Sequence, residues 1–445
     1  EYPAHLRIIA NEGSAAAQYA ESMAIDWNAP SAPVEEDGTE YQEEPGRTIA
    51  KDTLVIAPPK QDGDGHVWDT IYFGQWQGEP VNYRVLDPER GNDGNEDGIF
   101  LLSEELLGTG DWGSVWYHQA EGEARSNAWQ GSDARAWCLD FAGLSDAGEV
   151  PDSLTGPELE AVLPTDKSDE AYGSYPVYAA AADILRGDRV FFPSGQELDR
   201  ARYGFTSALD RAAAYRGSDK AVYYWTRSPI LHEYGITYSV GVVNARGGLD
   251  TGVVDDTNTA RPALNLSKSR IAFVSAADGG KDSGDMGTLT AVEEYEGSEW
   301  KLTLRMENRD VVISDAVTAG SVMTFHYQGA ATGENEYLSA LVADREGSIL
   351  YYGRLCALPD EEDGTGTASV TLPDGYNSED QTLYVFSEQY HGDRRTDFTG
   401  SFAEVKASET PVPPVEESWT ISFDSNGGYG SMEDQKIPNG GELIL

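Results

Sequence analysis

Several features that would indicate a particular class of protein are scarce in this sequence. It has only two cysteines, Cys138 and Cys356, which we expect to pack in different domains as small buried groups. This count excludes a scaffold held together by disulfides. No apolar run approaches the roughly 20 residues that span a bilayer. We therefore expect no direct membrane insertion, and we expect a signal peptide and a surface anchor to be missing from this stretch of chain.

Basic residues are also scarce, since 31 Lys and Arg face 77 Asp and Glu and the net charge is −46. Such a surface repels phosphate backbones and anionic headgroups, which excludes nucleic acid as a partner. Two explanations of the acidity remain open. The acidic residues keep the protein soluble through self-repulsion, or they reflect a calcium-rich habitat that neutralises pairs of carboxylates.

Catalytic motifs are absent as well. The six histidines are scattered, and the sequence has no HExxH, GxSxG or phosphate-binding loop. We therefore predict that the chain is not an enzyme. A hydrolase that acts on polysaccharide stays open as an alternative, because 77 acidic residues make chance pairs of carboxylates inevitable.

Aromatic residues and glycine, by contrast, are plentiful. The sequence has 10 Trp, 24 Tyr and 48 Gly, and 39% of its residues are hydrophobic. Disordered chains carry far fewer aromatic residues, so this composition predicts folded cores, and the frequent glycine favours β-structure with tight turns. At roughly 100–200 residues per domain, a chain of 445 residues predicts two to four domains.

The pattern of apolar residues divides the first part of the chain in two. Residues 1–65 are polar and irregular, with a short helix predicted at 15–24. Residues 66–270 mix strands and helices and predict an α+β domain. The predicted strands are 68–76, 81–86, 100–102, 223–226, 237–243 and 262–266. The predicted helices are 194–203, 210–215 and one that begins after Ser132 as its N-cap.

From residue 271 to residue 408 apolar and polar positions alternate, which is typical of an immunoglobulin-like β-sandwich. Its strands are predicted at 300–306, 321–327, 337–344, 349–355, 368–372 and 382–386. A Pro-rich acidic linker follows at 409–418, and a further, partial module begins at 419–445. We thus expect a multidomain chain with boundaries near residues 270 and 410.

The sequence of the last module is TISFDSNGGYGSMEDQKIPNGGELIL. It contains a D-x-N-G-G turn and an N-G-x-x-L-x-L strand, formed by Asp424, Asn426, Gly427, Gly428, Asn439, Gly440, Leu443 and Leu445. These motifs resemble the first half of the internalin-type B-repeat, also called the Listeria–Bacteroides repeat. The resemblance implies a partial β-grasp-like repeat that serves as a stalk on a Gram-positive bacterial surface. An ordinary hairpin with a Gly-Gly turn is the alternative.

A second set of motifs extends over residues 66–270. The motifs are I-x-F-G at 71–74, V-x-Y-R-V-L at 81–86, L-L-S at 101–103, a Trp129–Ser132–Arg135–Trp137 block, W-x-R-S-P at 225–229 and R-P-A-L-N-L at 261–266. They resemble a domain family of unknown function from surface proteins of gut bacteria. That family is similar to the C-type-lectin-like fold, shared by formylglycine-generating enzymes and retroelement-diversified binding proteins. Those enzymes need active-site cysteines, and this domain has only Cys138, so we expect no such oxidase activity.

The C-type-lectin-like resemblance implies a ligand face made of exposed loops, here residues 230–238 and 246–256. The candidate ligand-binding residues are His232, Tyr234, Tyr238, Arg246, Asp250, Asp255 and Asp256. Their rings suit stacking on sugars or peptides, and their carboxylates suit calcium. Ordinary polar loops without a ligand are the alternative.

A calcium-loop pattern lies between two predicted strands. Asp93, Asn95, Asp97, Gly98 and Glu104 match D-x-N-x-D-G-x5-E, the spacing of an EF-hand loop. EF-hand loops join helices, whereas the segments on both sides predict strands, and a strand at 100–102 would draw Glu104 away. Two hypotheses therefore remain, a solvated acidic hairpin tip and a partial calcium site at Asp93, Asn95 and Asp97.

Other prominent residues are predicted to be structural. Trp129, Trp137 and Trp225 sit in motif blocks that are typical of structural segments, and we expect their indoles in the core. Arg227 and Arg261 are expected to satisfy buried carbonyls or carboxylates with their forked donors.

These observations predict a non-catalytic binding or adhesion protein that is extracellular and attached to the cell surface. It would carry a lectin-like head on a β-rich stalk and recognise a glycan or a host or microbial surface protein. A purely structural spacer is the first alternative, and a polysaccharide hydrolase is the second. No cofactor is certain, and calcium is the candidate.

Overall fold

The computed structural model describes residues 7–9, 26–28, 47–63, 65–108, 115–119, 126–145, 153–169, 183–230, 239–360, 363–407, 418–421 and 435–438. The chain divides into two compact units, Glu1–Glu43 and Glu44–Leu445. In the first unit, strands β1 (Arg7–Ile9) and β2 (Asp26–Asn28) pair in parallel. The helix predicted at 15–24 falls outside the described residues.

Up to residue 270, the second unit combines many strands with a few short helices. The strands are β3 (Ile49–Ala50), β4 (Lys60–Asp62), β5 (Gly65–Val67), β6 (Thr70–Trp76), β7 (Glu79–Asp87), β8 (Gly98–Ser103), β9 (Val115–Trp116), β10 (Thr165–Asp169), β11 (Asp183–Asp188), β12 (Val190–Phe191), β13 (Tyr224–Ile230), β14 (Ser239–Val243), β15 (Leu249–Val253), β16 (Thr257–Asn258) and β17 (Ala263–Ser267). The helices are α1 (Asp133–Phe141), α2 (Gly156–Ala161) and α3 (Ala208–Arg211), and 3-10 turns lie at Glu197–Asp199, Ala201–Tyr203 and Lys268–Arg270. Within the described part of the chain, no helix is long and apolar enough to cross a membrane.

Local chemistry explains where the helices of this part begin and end. Ser132 caps α1 by accepting a hydrogen bond from the backbone N–H of Arg135 at 3.0 Å, as predicted. The helix predicted at 194–203 is wrong, because the backbone at Arg200 turns extended with a ψ of 119° and leaves two 3-10 turns. The helix predicted at 210–215 is also misplaced, since α3 ends at Arg211 where Ala212 becomes extended.

From residue 271 onward, strands joined by turns and loops are the regular structure of the described chain. The strands are β18 (Ile271–Ala276), β19 (Thr290–Ala291), β20 (Glu299–Arg305), β21 (Val312–Ala319), β22 (Val322–Gln328), β23 (Glu336–Asp344), β24 (Ile349–Ala357), β25 (Thr365–Thr371), β26 (Gln381–Gln389), β27 (Asp397–Thr399), β28 (Ala403–Glu404), β29 (Ser418–Ile421) and β30 (Gln435–Pro438). The six strands predicted between 300 and 386 are all present, with ends shifted by a few residues.

One large sheet runs through both parts of the second unit. Its order is β12-β17-β8-β7-β6-β20-β27-β26-β23-β24-β19. The two parts join where β6 pairs in parallel with β20, with Ile71 opposite Trp300. Close by, β18 pairs with both β20 and β3. The sheet therefore continues across residue 270, and the division into separately folded domains there stays a prediction.

A smaller sheet of order β21-β22-β25 completes the second part. Its inward residues, such as Phe325 and Val370, share a core with Leu338 and Val385 of the large sheet. This arrangement is a two-sheet sandwich, because side chains from both sheets fill one core. The finer immunoglobulin-like assignment stays a prediction.

The core of the first part is aromatic. Trp129 and Trp225 are buried, as predicted, and Trp137 is half-buried where it stacks on Phe141 with ring centroids 5.2 Å apart. Trp300 of β20 belongs to the same core, so the sandwich contributes to the packing of the first part.

The end of the chain contributes one hairpin. Strands β29 and β30 pair antiparallel, with Trp419 opposite Ile437. The motif residues at 424–428 and 439–445 fall outside the described residues, so the B-repeat and its β-grasp-like fold stay predictions.

Candidate functional site

Two buried arginines, Arg227 and Arg261, connect separate segments of the first part by hydrogen bonds. Arg227 of β13 donates to the carbonyl of Phe192 at 2.8 Å and to both carboxylate oxygens of Glu197 at 2.7 and 3.0 Å. Arg261 donates to the carbonyl of Ser103 at 2.9 Å. Both guanidinium groups are fully buried, which confirms that these arginines are structural.

Glu197 forms the centre of a buried charge cluster that we call the Glu197 cluster. Besides Arg227, its carboxylate accepts hydrogen bonds from Lys167 and Asn92, both at 2.6 Å, and from the backbone N–H of Ser194 at 2.8 Å. Burial alone would raise the pKa of Glu197, but Arg227 and Lys167 outweigh it and hold the pKa far below its usual range. The carboxylate is therefore a permanent anion inside the framework.

The hairpin of β14 and β15 is joined to β13, the strand that carries Arg227, because β14 pairs with β13. In its turn, the side-chain oxygen of Asn244 accepts hydrogen bonds from the N–H groups of Arg246 and Gly248 at 2.9 and 3.1 Å. Gly247 has a φ of +75°, and a Cβ there would lie 1.6 Å from the carbonyl oxygen of Ala208. Only glycine fits this close approach, so the turn is held against α3.

The structure of this hairpin contradicts the prediction for residues 246–256. They were expected to form an exposed loop, but Leu249–Val253 is strand β15 and pairs with β14 along its whole length. The sequence LDTGV has only two apolar residues, so its strand signal is weak. Pairing with β14 supplies the stabilisation that the local sequence lacks.

A groove of about 320 Å³ lies beside this hairpin. It is lined by Tyr223, Val242, Thr251, Gly252, Asp256, Thr257 and Asn258. The side chain of Tyr223 is 47% exposed, although the two residues after it are fully buried. A Cβ on Gly252 would lie 2.7 Å from Val242 and 2.8 Å from the ring of Trp225, so a side chain at this position would collide with the core beneath the groove.

The walls of the groove are held by backbone hydrogen bonds. Thr257 and Asn258 form β16, which pairs with β9. The next residue, Thr259, donates from its backbone N–H to the carbonyl of Tyr223 at 3.2 Å. Asp256 donates in the same way to Val253 at 3.0 Å. The groove is therefore pre-formed, and a ligand would not have to order it.

The predicted ligand-binding residues divide into three groups. Asp256 is exposed and lines the groove. Arg246 is exposed in the hairpin turn, and Asp255 and Asp250 are half-buried, with a carboxylate oxygen of Asp250 accepting the N–H of Thr251 at 2.8 Å. The remaining three fall outside the described residues, namely His232, Tyr234 and Tyr238.

Sequence reasoning missed Tyr223 as a site residue. Residues 223–225 are three consecutive aromatic residues, YYW. Successive side chains of an extended chain point to opposite faces, so three large rings in a row do not all enter one core. That pattern was the available signal that one ring faces solvent.

The calcium-loop pattern folds as a tight acidic turn. Asp93 accepts the N–H of Asn95 and Asn95 accepts the N–H of Asp97, both at 3.0 Å. Glu104 pairs with Arg84, with one contact at 2.6 Å, so it is drawn away from the turn. Among the described residues, no group of three or more His, Cys, Asp or Glu side chains is placed to hold a metal ion. Calcium at Asp93, Asn95 and Asp97 stays a prediction.

Part of this region is similar to a known protein family. Residues 96–268 match the model of a family described as a domain of unknown function (DUF6273). Residues 96–268 are therefore similar to this family, and the motifs between 101 and 266 lie within the matched residues. No curated protein matches the chain.

One solved structure, named "Biofilm associated protein - BSP domain", is 12% identical to the chain. The match covers 44% of this chain and 26% of that structure, with a TM-score of 0.14. The chain thus spans about a quarter of that structure's length. A likeness this low carries no argument about the fold or the function.

Proposed function

We propose that the chain is a non-catalytic binding module of an extracellular bacterial surface protein, and that the groove beside β15 holds an uncharged glycan. The observation that carries this proposal is the half-exposed ring of Tyr223 at a pre-formed polar groove. An aromatic face suits the apolar face of a sugar ring, and Thr251, Asp256 and Asn258 offer partners for its hydroxyl groups.

Charge favours an uncharged ligand over an acidic one. The chain has a net charge of −46, and Asp256 lies in the groove itself. A sulfated or sialylated glycan would meet repulsion from both. Neutral hexoses and N-acetylhexosamines carry no such penalty, so we propose these neutral sugars as the ligand class.

The lining of the groove supports binding rather than hydrolysis. Asp256 supplies the carboxylate among its described lining residues. Both common glycosidase geometries use a pair of carboxyl groups, about 5–10 Å apart, on either side of the scissile bond. We therefore propose that the groove recognises its ligand without cleaving it.

We propose that residues 66–270 form a C-type-lectin-like head and that the sandwich and the β29–β30 hairpin belong to a stalk. The acidic Pro-rich linker at 409–418 and the B-repeat-like motifs favour this arrangement. A spacer without a ligand remains the competing function.

A glycan array tests the proposal with matched variants. The full chain should bind neutral glycans and not sialylated ones, with and without calcium. Tyr223→Ala should weaken binding about tenfold, which corresponds to about 1.4 kcal/mol, because it removes the stacking ring. Val312→Ala is the control, since Val312 is 66% exposed on β21 in the second part, and it should bind like the wild type.

Further variants distinguish binding in the groove from binding at the predicted loop 230–238. Tyr223→Phe keeps the ring and should retain most of the binding, whereas Tyr234→Ala with Tyr238→Ala tests the predicted loop at 230–238. All variants should keep the melting temperature of the wild type. If the chain binds no glycan, or if Tyr223→Ala binds as tightly as Val312→Ala, the groove is not the site and the spacer function gains support.

A further inference from the structure

A second charge cluster lies in the sandwich and has no part in the proposed function. It consists of Lys281, Lys301, Glu388 and Asp397, and all four side chains are buried. Lys301 lies on β20, Glu388 on β26 and Asp397 on β27, while Lys281 lies in the turn after β18. We call this group the Lys281 cluster.

The amine of Lys281 sits between the two carboxylates. Its Nζ donates to Asp397 Oδ2 at 2.6 Å and makes a closer contact with Glu388 Oε1. Lys301 Nζ also lies 2.8 Å from Asp397 Oδ2. The other oxygen of Asp397, Oδ1, accepts the backbone N–H of His391 at 2.8 Å.

Aromatic rings and hydroxyl groups enclose the cluster. Lys281 Nζ lies 5.0 Å from the ring centroid of Phe273, 5.6 Å from that of Tyr352 and 5.4 Å from that of Tyr390. The hydroxyl of Tyr352 donates to Glu388 Oε2 at 2.7 Å. This enclosure lowers the local dielectric and fixes the reacting groups in contact, which removes much of the entropic cost of a reaction between them.

We propose that Lys281 and Asp397 condense into an intramolecular amide bond, with Glu388 carrying the protons. Lys281 Nζ attacks Cγ of Asp397, and the charge that develops on Oδ1 is stabilised by the N–H of His391. The bond between Cγ and Oδ2 breaks, and Oδ2 leaves as water. The two protons of that water come from the Lys281 ammonium by way of Glu388, which ends as a carboxylate again.

The step balances in atoms and in charge. An ammonium and a carboxylate become one neutral amide and one water molecule, and no oxidant or other reactant is consumed. Lys301 and Glu388 keep their opposite charges, so the remaining cluster is still neutral. Because isolated buried ions are costly, a pair that condenses relieves the sandwich of two of its four buried charges.

The contacts assign Lys281 rather than Lys301 as the nucleophile. Both amines touch Oδ2, but Lys281 also touches the carboxylate that must accept its proton. Lys301 instead donates to the carbonyl of Gly392 and leaves its positive charge beside Oδ2, the departing oxygen. Lys301 is therefore a positioning residue.

The bond would join positions 116 residues apart in the sequence. It would link the turn after the first strand of the sandwich to β27, near its last strands. A load applied along the chain would then be carried by a covalent bond in place of hydrogen bonds alone. This inference is independent of the groove and of its ligand.

Intact-mass measurement of the purified, full-length chain tests the proposal directly. The expected mass is that of the sequence minus one water molecule, and proteolysis should yield one branched peptide that contains Lys281 and Asp397. A folded chain with the full sequence mass would overturn the proposal. A branched peptide through Lys301 would overturn the assignment of the nucleophile.

Variants check each role. Glu388→Gln, which keeps the shape of the side chain, should retain the full sequence mass and the wild-type circular dichroism. Asp397→Asn should form the same amide but lose ammonia instead of water. Lys301→Arg should still form the bond. Water loss in Glu388→Gln as complete as in the wild type would contradict the proton-carrying role.

The Glu197 cluster provides a control inside the same molecule. Lys167 and Glu197 are also in contact at 2.6 Å, but the rigid fork of Arg227 donates to both oxygens of that carboxylate and holds them in place. These two residues should stay unlinked in the digest. A branched Lys167–Glu197 peptide would show that contact alone is sufficient and would overturn the mechanism.

Discussion

The two buried charge clusters of this molecule differ in how their donors are arranged. In the Glu197 cluster, one carboxylate is surrounded by donors, and two of its hydrogen bonds come from the rigid fork of Arg227. In the Lys281 cluster, one amine lies between two carboxylates. A guanidinium stays charged and holds geometry, whereas a primary amine can give up its proton and react. Similar burial of charge thus holds the structure in one place and, as we propose, allows a reaction in the other.

The pKa directions define the starting state of the Lys281 cluster. Burial would raise the pKa of Asp397, but Lys281 and Lys301 outweigh it and lower the pKa, as happens for Glu197. Burial lowers the pKa of Lys301, whereas in Lys281 the two carboxylates overcome burial and raise the pKa. Before condensation, Lys281 and Asp397 are therefore an ion pair, and Lys281 must first pass a proton to Glu388.

The largest stability effect is expected from breaking the Glu197 cluster. Arg227→Met should destabilise the protein by about 3–5 kcal/mol, because it removes the main partner of a fully buried carboxylate. Urea unfolding followed by tryptophan fluorescence measures this free energy. Arg394→Met is the control, since the exposed pair of Arg394 with Asp278 should be worth at most about 1 kcal/mol. Equal losses in the two variants would contradict the structural role of the Glu197 cluster.

A comparable loss is expected from the aromatic core of the first part. Trp129→Ala should cost about 3–5 kcal/mol, because its indole is buried against Phe192. Trp137→Ala should cost less, because Trp137 is half-buried. The same unfolding measurement ranks the two. A fully stable Trp129→Ala variant that has lost ligand binding would instead make Trp129 a ligand platform.

A smaller effect is expected from acid, and it separates the two clusters. The pKa of Glu197 in the folded state lies below its unfolded value of about 4.3, so its stabilisation is fully present above that pH and is lost as the pH falls. The same sign holds for Asp397 as a free carboxylate, but a condensed Asp397 has no carboxyl group to protonate.

Thermal melts at pH 7 and at about pH 3 therefore compare the wild type with Glu388→Gln, because a free Asp397 loses its stabilisation only below its unfolded pKa of about 3.9. Glu388→Gln should lose more stability in acid than the wild type, because its Asp397 remains free. The variant and the wild type should also be compared after correction for their difference at pH 7. An identical acid response would indicate that Asp397 is in the same chemical state in both.

Much of the sandwich was predictable from local pattern. The run WKLTLRM alternates apolar and polar residues, and strand β20 covers Glu299–Arg305. Ser132 was recognisable as an N-cap, because capping depends on a few adjacent residues. Strands and caps of this kind are set by neighbours in the sequence, so a single sequence shows them.

Features that depend on distant partners were not predictable. The pairing of Ile71 with Trp300 has no local signal, because any half-buried strand offers the same backbone groups. Lys281 and Asp397 are ordinary charged residues until the topology brings them together. For the candidate site, Asp256 was identified from its position in the chain, but Tyr223 was assigned to a strand and its exposure was missed.

The parallel pairing of β6 with β20 has a consequence for the order of events during synthesis. Asp69, next to β6, accepts a hydrogen bond from the indole of Trp300, which is 231 residues later in the chain. Until that later segment has emerged, β6 presents an open edge of unpaired N–H and C=O groups, which is a template for pairing with other chains. Such a distant contact also slows folding, because a long loop must close first. We therefore expect the newly made first part to keep the edge of β6 exposed until the sandwich has been synthesised.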